Sequence, residues 1–336
     1  MPGCASRGGR EGPYHRRTHS TRCSARNLHT QGDRHRDRGL IVPLTETHVP
    51  IDHNLLKEDL RHLVGERHPL SSPIRLQDAE AYLHRHFSEA GLTVTTQPFH
   101  ALGGTYHNVI GTALPDTEPF QSAPPLILAA HFDTVQGSPG ADDNASALAV
   151  MLHIARRVRA MKLARPIHFI AFNLEEENLL GSSAYTAMLR KNRETIHGAI
   201  VLECVGYASH LAGSQKTPPG VPIAVPTTGN FLAVIGNERS HILTGSVAKA
   251  MQSHLPIVPL IVPGNGEKLP DTRRSDHTSF WEQGFPAVML TDTANFRNPH
   301  YHRPTDTLDT LNLDFIASVA EGLMAAVIEL AIRPSA

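Results

Sequence analysis

Cysteine is scarce in this chain: Cys4, Cys23 and Cys204 are the only three in 336 residues. Two lie in a stretch that is almost without apolar side chains and one lies in a strand pattern. No disulfide framework is therefore available to a core, and reducing conditions are tolerated. Long apolar runs are missing as well. The longest, Phe315 to Ile332, is interrupted by Glu321 and Glu329 and falls short of the ~20 residues a membrane span needs. A buried terminal helix is expected there, and no membrane span. A charge excess is equally absent: the formal net charge is −1 at pH 7, which gives no argument for nucleic acid as a partner.

The near-neutral total conceals an uneven distribution, because residues 1–40 hold nine Arg, no Lys and three acids. Residues 1–45 are rich in Gly, Ser, Arg and His and cannot bury enough apolar surface to offset the entropy of folding, so they are expected to form a disordered tail. They lack the apolar segment of a secretory signal, which favours the cytoplasm as compartment; an Arg-rich transit peptide is the competing reading. The remainder, residues 50–333, is long enough for one large domain.

Within it, two helical patterns ("DHNLLKEDLRHLVGE" and "LQDAEAYLHRHFSEAG", stopped at Gly91) precede two strand-like runs. From residue 125 onward apolar strand runs alternate with amphipathic segments: "PLILAAHFDT", a helix over 144–160, "PIHFIAFNLEE", a helix near 182–192, and "GAIVLECVGY". Over 144–160, Leu148, Met151, Leu152, Ala155 and Val158 form an apolar stripe at helical spacing. This alternation predicts an α/β fold, a mixed and mainly parallel sheet sandwiched by helices. Residues 207–230, with Pro218, Pro219, Pro222 and Pro226, read as a lid or an insertion loop.

The predicted strands end on metal-ligating residue types: His131 after "LILAA", Glu175 and Glu176 after "IHFIAFNL", Glu203 after "AIVL". Open α/β sheets place their sites at that edge. Asp143 stands just before a helix, and "NPHYHRPTDT" offers two imidazoles, His300 and His302. Two imidazoles and several carboxylates suit borderline divalent ions, zinc first, and a centrally placed carboxylate can bridge two of them. Of two adjacent glutamates, one can bind a metal while the other remains free to move protons. Asp142 and Asp143 also fit simple capping of the helix that follows. Asp133 is two residues beyond His131 and is placed to orient that imidazole. Asp306 fits either the orientation of His302 or a turn. Ser275, Asp276 and His277 are adjacent and cannot form a relay whose members point at one another; a helix entry lining the substrate side is expected. Arg273 and Arg274 read as a solvated basic turn.

The segments "HFDT", "GADDNAS", "EEENLLGS", "SDHTSF" and "HYHRPTDT", in that order, resemble the co-catalytic zinc aminopeptidases, metallopeptidase family twenty-eight, over about residues 50–332. The resemblance implies a three-layer zinc-peptidase domain with two zinc ions that hydrolyses peptides bearing a free N-terminus. It further implies His131 and Glu203 on the first metal, Asp143 as the bridge, Glu176 and His302 on the second, and Glu175 as general base. Two departures stand out: Glu203 occupies a position where the prototypes carry Asp, and "LPDTRRSDH" lacks their Tyr before "SDH". The fold is shared by single-zinc glutaminyl cyclases and by non-catalytic binding modules, which are the alternative functional readings.

Overall fold

The apolar runs of the sequence become eight strands of a single sheet in a computed structural model that describes residues 51–332. The expected tail over 1–45 lies outside the described residues. In chain order the elements are α1 (His53–Leu63), α2 (Pro73–Glu89), β1 (Thr93–Ala101), β2 (Gly104–Ala113), β3 (Leu126–His131), α3 (Ala147–Val158), β4 (Ile167–Phe172) and α4 (Leu180–Asn192). There follow β5 (Gly198–Glu203), β6 (Leu232–Asn237), α5 (His241–Met251), β7 (Ile257–Val262), α6 (His277–Glu282), β8 (Ala287–Thr291) and α7 (Leu313–Ala331).

Strand order is β1-β2-β4-β3-β5-β8-β6-β7. The four central strands β4, β3, β5 and β8 are parallel, while β2 and β6 run antiparallel to the strands flanking that block. Every residue of β3, β5 and β8 is buried, as strands covered on both faces require. Period-two alternation divides each strand between two cores. Leu126, Leu128 and Ala130 join the core formed with α1, α2, α3, α5 and α7; Ile127 and Ala129 join the one with Tyr185 and Leu189 of α4 and Phe280 and Trp281 of α6. The layers are thus helix, sheet, helix. Each edge strand carries a proline, Pro98 in β1 and Pro259 in β7, which removes a ladder donor and discourages further strand addition.

Local chemistry sets the helix ends. Asp52 caps α1 by accepting from the Asn54 and Leu55 amides, and Asn312 caps α7 by accepting from Phe315 N at 3.0 Å. The second helix starts at Pro73, earlier than its apolar pattern indicates, because proline suits the first helical turn. The third starts at Ala147, later than expected, since Asp143 and Asn144 are non-helical in the irregular turn 141–146. No helix among the described residues is long and apolar enough to cross a membrane. Residues 207–230 connect β5 to β6 and are tied across by the bridge Ala212 to Thr228.

Candidate metal centre

From β3 the chain moves to β4 on one side and to β5 on the other, so a crevice opens at the carboxyl ends of these strands. His131 is the last residue of β3 and Glu203 the last of β5; Glu175 and Glu176 follow the end of β4, and His302 lies on the loop beyond β8. Several turns here are left-handed: Leu174 (φ 58°), Cys204 (φ 50°) and His302 itself (φ 58°). Non-glycine residues are rare in that region and cluster at functional sites.

Asp143 is the hub. One carboxylate oxygen lies 3.1 Å from His131 Nε2 and the other 3.0 Å from His302 Nε2. Around His131 Nε2 also stand Glu203 at 3.4 Å and Glu175 at 4.0 Å, while Glu176 Oε1 is 3.2 Å from His302 Nε2. Two groups result, one of His131, Asp143 and Glu203, the other of His302, Asp143 and Glu176. His131 Nε2, both oxygens of Asp143 and Glu176 Oε1 are buried without a hydrogen-bond partner. Buried polar atoms are rarely left so, and a divalent cation satisfies such a donor set.

The charge balance points the same way. Burial, then Glu203, Glu176 and Asp276, push the Glu175 carboxyl well above its usual range, His131 opposing. Burial, then Asp143, pushes Glu176 up to about 7. Burial alone would raise Asp143, but the two imidazoles hold it below the usual carboxylate range. Two histidines cannot offset so many acids, whereas cations would.

A second layer holds these side chains. The carboxylate of Asp133 accepts from the amides of Glu175 and Glu176, both at 3.0 Å, and its backbone carbonyl, 3.2 Å away, meets His131 Nδ1. The imidazole is therefore oriented by the Asp133 carbonyl more closely than by its carboxylate, 3.6 Å away. Asp306 accepts from the Asp142 and Asp143 amides and pins the turn instead of orienting His302. Asp142 turns away from the cluster to accept from Gly206 N and Asn298 Nδ2. Behind the turn, fully buried Arg67 donates to the carbonyls of Leu63, Gly65, Phe132, Pro139 and Gly140.

Not every candidate joins the cluster. His277 is buried elsewhere, 2.8 Å from the Thr272 carbonyl and edge-on to Trp281. Asp276 is buried near His131, and burial pushes it up to about 7. Ser275 donates to Glu203 Oε2 at 2.8 Å and has no relay with His277. His300 meets Thr305 and stays outside. Arg273 pairs with Glu282 at 2.8 Å, and Arg274, exposed as a solvated turn would be, also bonds Asn295 and Tyr301. Tyr301 stacks on the His302 ring with centroids 3.9 Å apart. Sequence reasoning passed over Tyr301; its one signal was its place beside His302.

Glu203, Arg274 and Tyr301 also line a small cavity of about 70 Å³ whose apolar wall includes Val221, Ile235, Leu260, Met289 and Phe296.

Comparison with known proteins bears on this geometry. Residues 108–327 match the profile of Peptidase family M28. The chain is 31% identical to the uncharacterized protein YfbL of Escherichia coli over 301 residues, covering 84% of this chain and 89% of YfbL. It is 28% identical to leucine aminopeptidase 1 of Arthroderma otae and 27% identical to aminopeptidase YwaD of Bacillus subtilis. Each of those two matches covers 67% of this chain, but only 59% and 45% of the relative's own length. Among solved structures, the LapA aminopeptidase of Legionella pneumophila superposes with a TM-score of 0.66 at 21% identity, over 85% of this chain and 73% of LapA. A glutaminyl cyclase of Macrostomum lignano superposes with a TM-score of 0.65 at 16% identity, over 85% and 91% of the two chains. At such identities the likeness is one of fold. The family match, carried by more than half of the chain, makes this protein a member of peptidase family M28, a hydrolase of peptides.

Proposed function

We propose that the chain is a zinc-dependent aminopeptidase that binds two ions and removes N-terminal residues from peptides with a free amine. One observation carries the reading: the two oxygens of Asp143 face two different imidazoles across a set of buried, unpartnered ligand atoms. His131, Asp143 and Glu203 would hold one ion and His302, Asp143 and Glu176 the other. That two-sided arrangement supports two ions over the single zinc of the cyclase reading, and the full ligand set argues against a non-catalytic module. Zinc bound there would lower the pKa of a water and polarise a carbonyl.

The protein's own groups do the rest. Glu175, its amide fixed by Asp133, takes the proton of the attacking water and returns it to the leaving amine. Burial raises its pKa above the ordinary carboxylate range, which strengthens it as a base. The Tyr301 hydroxyl, on the ring stacked against His302, donates to the carbonyl oxygen as negative charge develops there. The apolar cavity beside Glu203 receives the first side chain of the substrate, with residues 207–230, which supply Val221, as its lid.

Metal analysis of Glu175→Gln together with aminoacyl anilide assays tests this reading. The variant is expected to keep both ions and to lose about 100- to 10,000-fold in kcat, the range of general acid–base contributions. Undiminished turnover would remove Glu175 from the mechanism. A single ion per chain with cyclisation of N-terminal Gln would favour the transferase instead.

A further inference from the structure

Tyr301 stands between His302 and Arg274. One side of its ring stacks on the His302 imidazole at an interplanar angle of 16°. Its phenol oxygen accepts a hydrogen bond from Arg274 Nη2 at 3.1 Å. The other arm of the guanidinium, Nη1, donates to Asn295 Oδ1 at 2.9 Å, with Asp271 3.8 Å away. Arg274 is thus held by its own turn and by two residues of the loop beyond β8, although 42% of its side chain remains exposed.

Donor and acceptor rules determine what this contact does. Arginine is always protonated and has no acceptor, so the phenol oxygen can only accept from it. The phenol's own hydrogen is then turned away from Arg274. Glu203, Arg274 and Tyr301 line one cavity, and the hydrogen can turn into this shared space, beside the ligand cluster. A donor bound to the oxygen also polarises the O–H bond and strengthens it as a donor.

We propose that Arg274 is a positioning residue, which holds the Tyr301 hydroxyl with its hydrogen toward the scissile carbonyl and affects turnover only through Tyr301. The proposal rests on the aminopeptidase reading above. It gives the basic turn before Ser275 a task that composition did not suggest: Arg274 directs a tyrosine that enters from a different segment.

A double-mutant cycle on the full-length, zinc-loaded enzyme with leucine p-nitroanilide tests it. Tyr301→Phe should lower kcat about 100-fold, as expected for loss of one oxyanion donor. Arg274→Met should lower kcat about 10-fold with KM changed less than about 2-fold, a loss confined to the transition state. Arg274→Lys, which keeps a cationic donor, should fall between wild type and Arg274→Met. The double variant should be no slower than Tyr301→Phe alone, because the second change removes nothing further. Zinc content should be the same throughout; if Arg274→Met loses zinc or unfolds, Arg274→Lys and Arg274→Gln replace it in the cycle. Losses that multiply in the double variant would overturn the proposal, as would a raised KM with kcat intact. A harmless Tyr301→Phe with Glu175→Gln inactive would sink this inference and leave the aminopeptidase reading standing. A wild type that turns over no free-amine substrate would sink both.

Discussion

His153 lies on α3, inside the helix layer and away from the metal centre, with its Nε2 buried and unpartnered. Burial first, then Arg157 and Arg156, push its pKa down to about 4. The sign of the effect follows. In the folded protein His153 stays neutral until about pH 4, whereas the unfolded chain takes up its proton near the ordinary value of about 6.5. Between these values the unfolded state binds the extra proton, so stability is lost as pH falls, by up to about 1.4 kcal/mol per pH unit from this residue. His153→Leu should therefore flatten the fall in urea-unfolding free energy between pH 6.5 and 4.5. An unaltered slope would show that His153 becomes charged within the fold. Arg156 is bound beside it by Asp59 through both terminal nitrogens, at 2.6 and 2.7 Å, so the positive charge that depresses His153 is itself held in place.

At the scale of elements, the joint between β4 and α4 bears on the centre most directly. Asn108 of β2 donates to the Gly181 carbonyl at 2.9 Å and accepts from Asn173 N at 3.0 Å, clamping the first turn of α4 onto the end of β4. The Glu175-Glu176 pair lies in the short span between the clamped points. A Cβ at position 181 would run into the Asn173 carbonyl oxygen and the Asn108 side chain. This is a physical reason for a glycine at that distance from the pair. Gly181→Ala should cost about 1–3 kcal/mol, the usual range for overpacking, and should weaken zinc retention as the pair shifts. Urea unfolding and metal content measured on one preparation check it; full stability with full metal would mean that α4 yields without disturbing the glutamates.

On the scale of the whole molecule, the ligands come from segments that are far apart in sequence, so cations bound among them would tie β3, β4, β5 and the loop beyond β8 together. Binding to the folded state alone adds about 2.7 kcal/mol at a free ligand concentration of 100 Kd. Chelation should accordingly lower the melting temperature by several degrees and added zinc should restore it. A melting temperature indifferent to chelator would count against metal binding by this cluster. Much of this plan was legible beforehand. Apolar runs such as Leu126 to Ala130 and Gly198 to Leu202 each stop at a ligand-type residue, which pointed to one sheet edge for His131 and Glu203; that β3 and β5 are adjacent there comes from the structure. Strand direction was not legible: nothing in "FLAVIGN" says that β6 runs against β8. Nor was the Arg274 contact, because Asn295 and Tyr301 follow it by 21 and 27 residues and loop packing alone unites them. Asp306 was ambiguous for the same reason: the amides it binds are more than 160 residues earlier.

The position of β8 has a consequence for biosynthesis. It is the last strand among the described residues, yet it lies inside the sheet, between β5 and β6. While the polypeptide emerges from the ribosome, β6, already paired with β7, has no partner on its other side, and the sheet cannot close until residues 287–291 are available. His302 lies on the loop that follows β8, so closure of the sheet and arrival of this imidazole fall together during translation. On the proposed two-ion reading, a nascent chain that stops short of β8 therefore lacks one imidazole of the centre as well as a closed sheet.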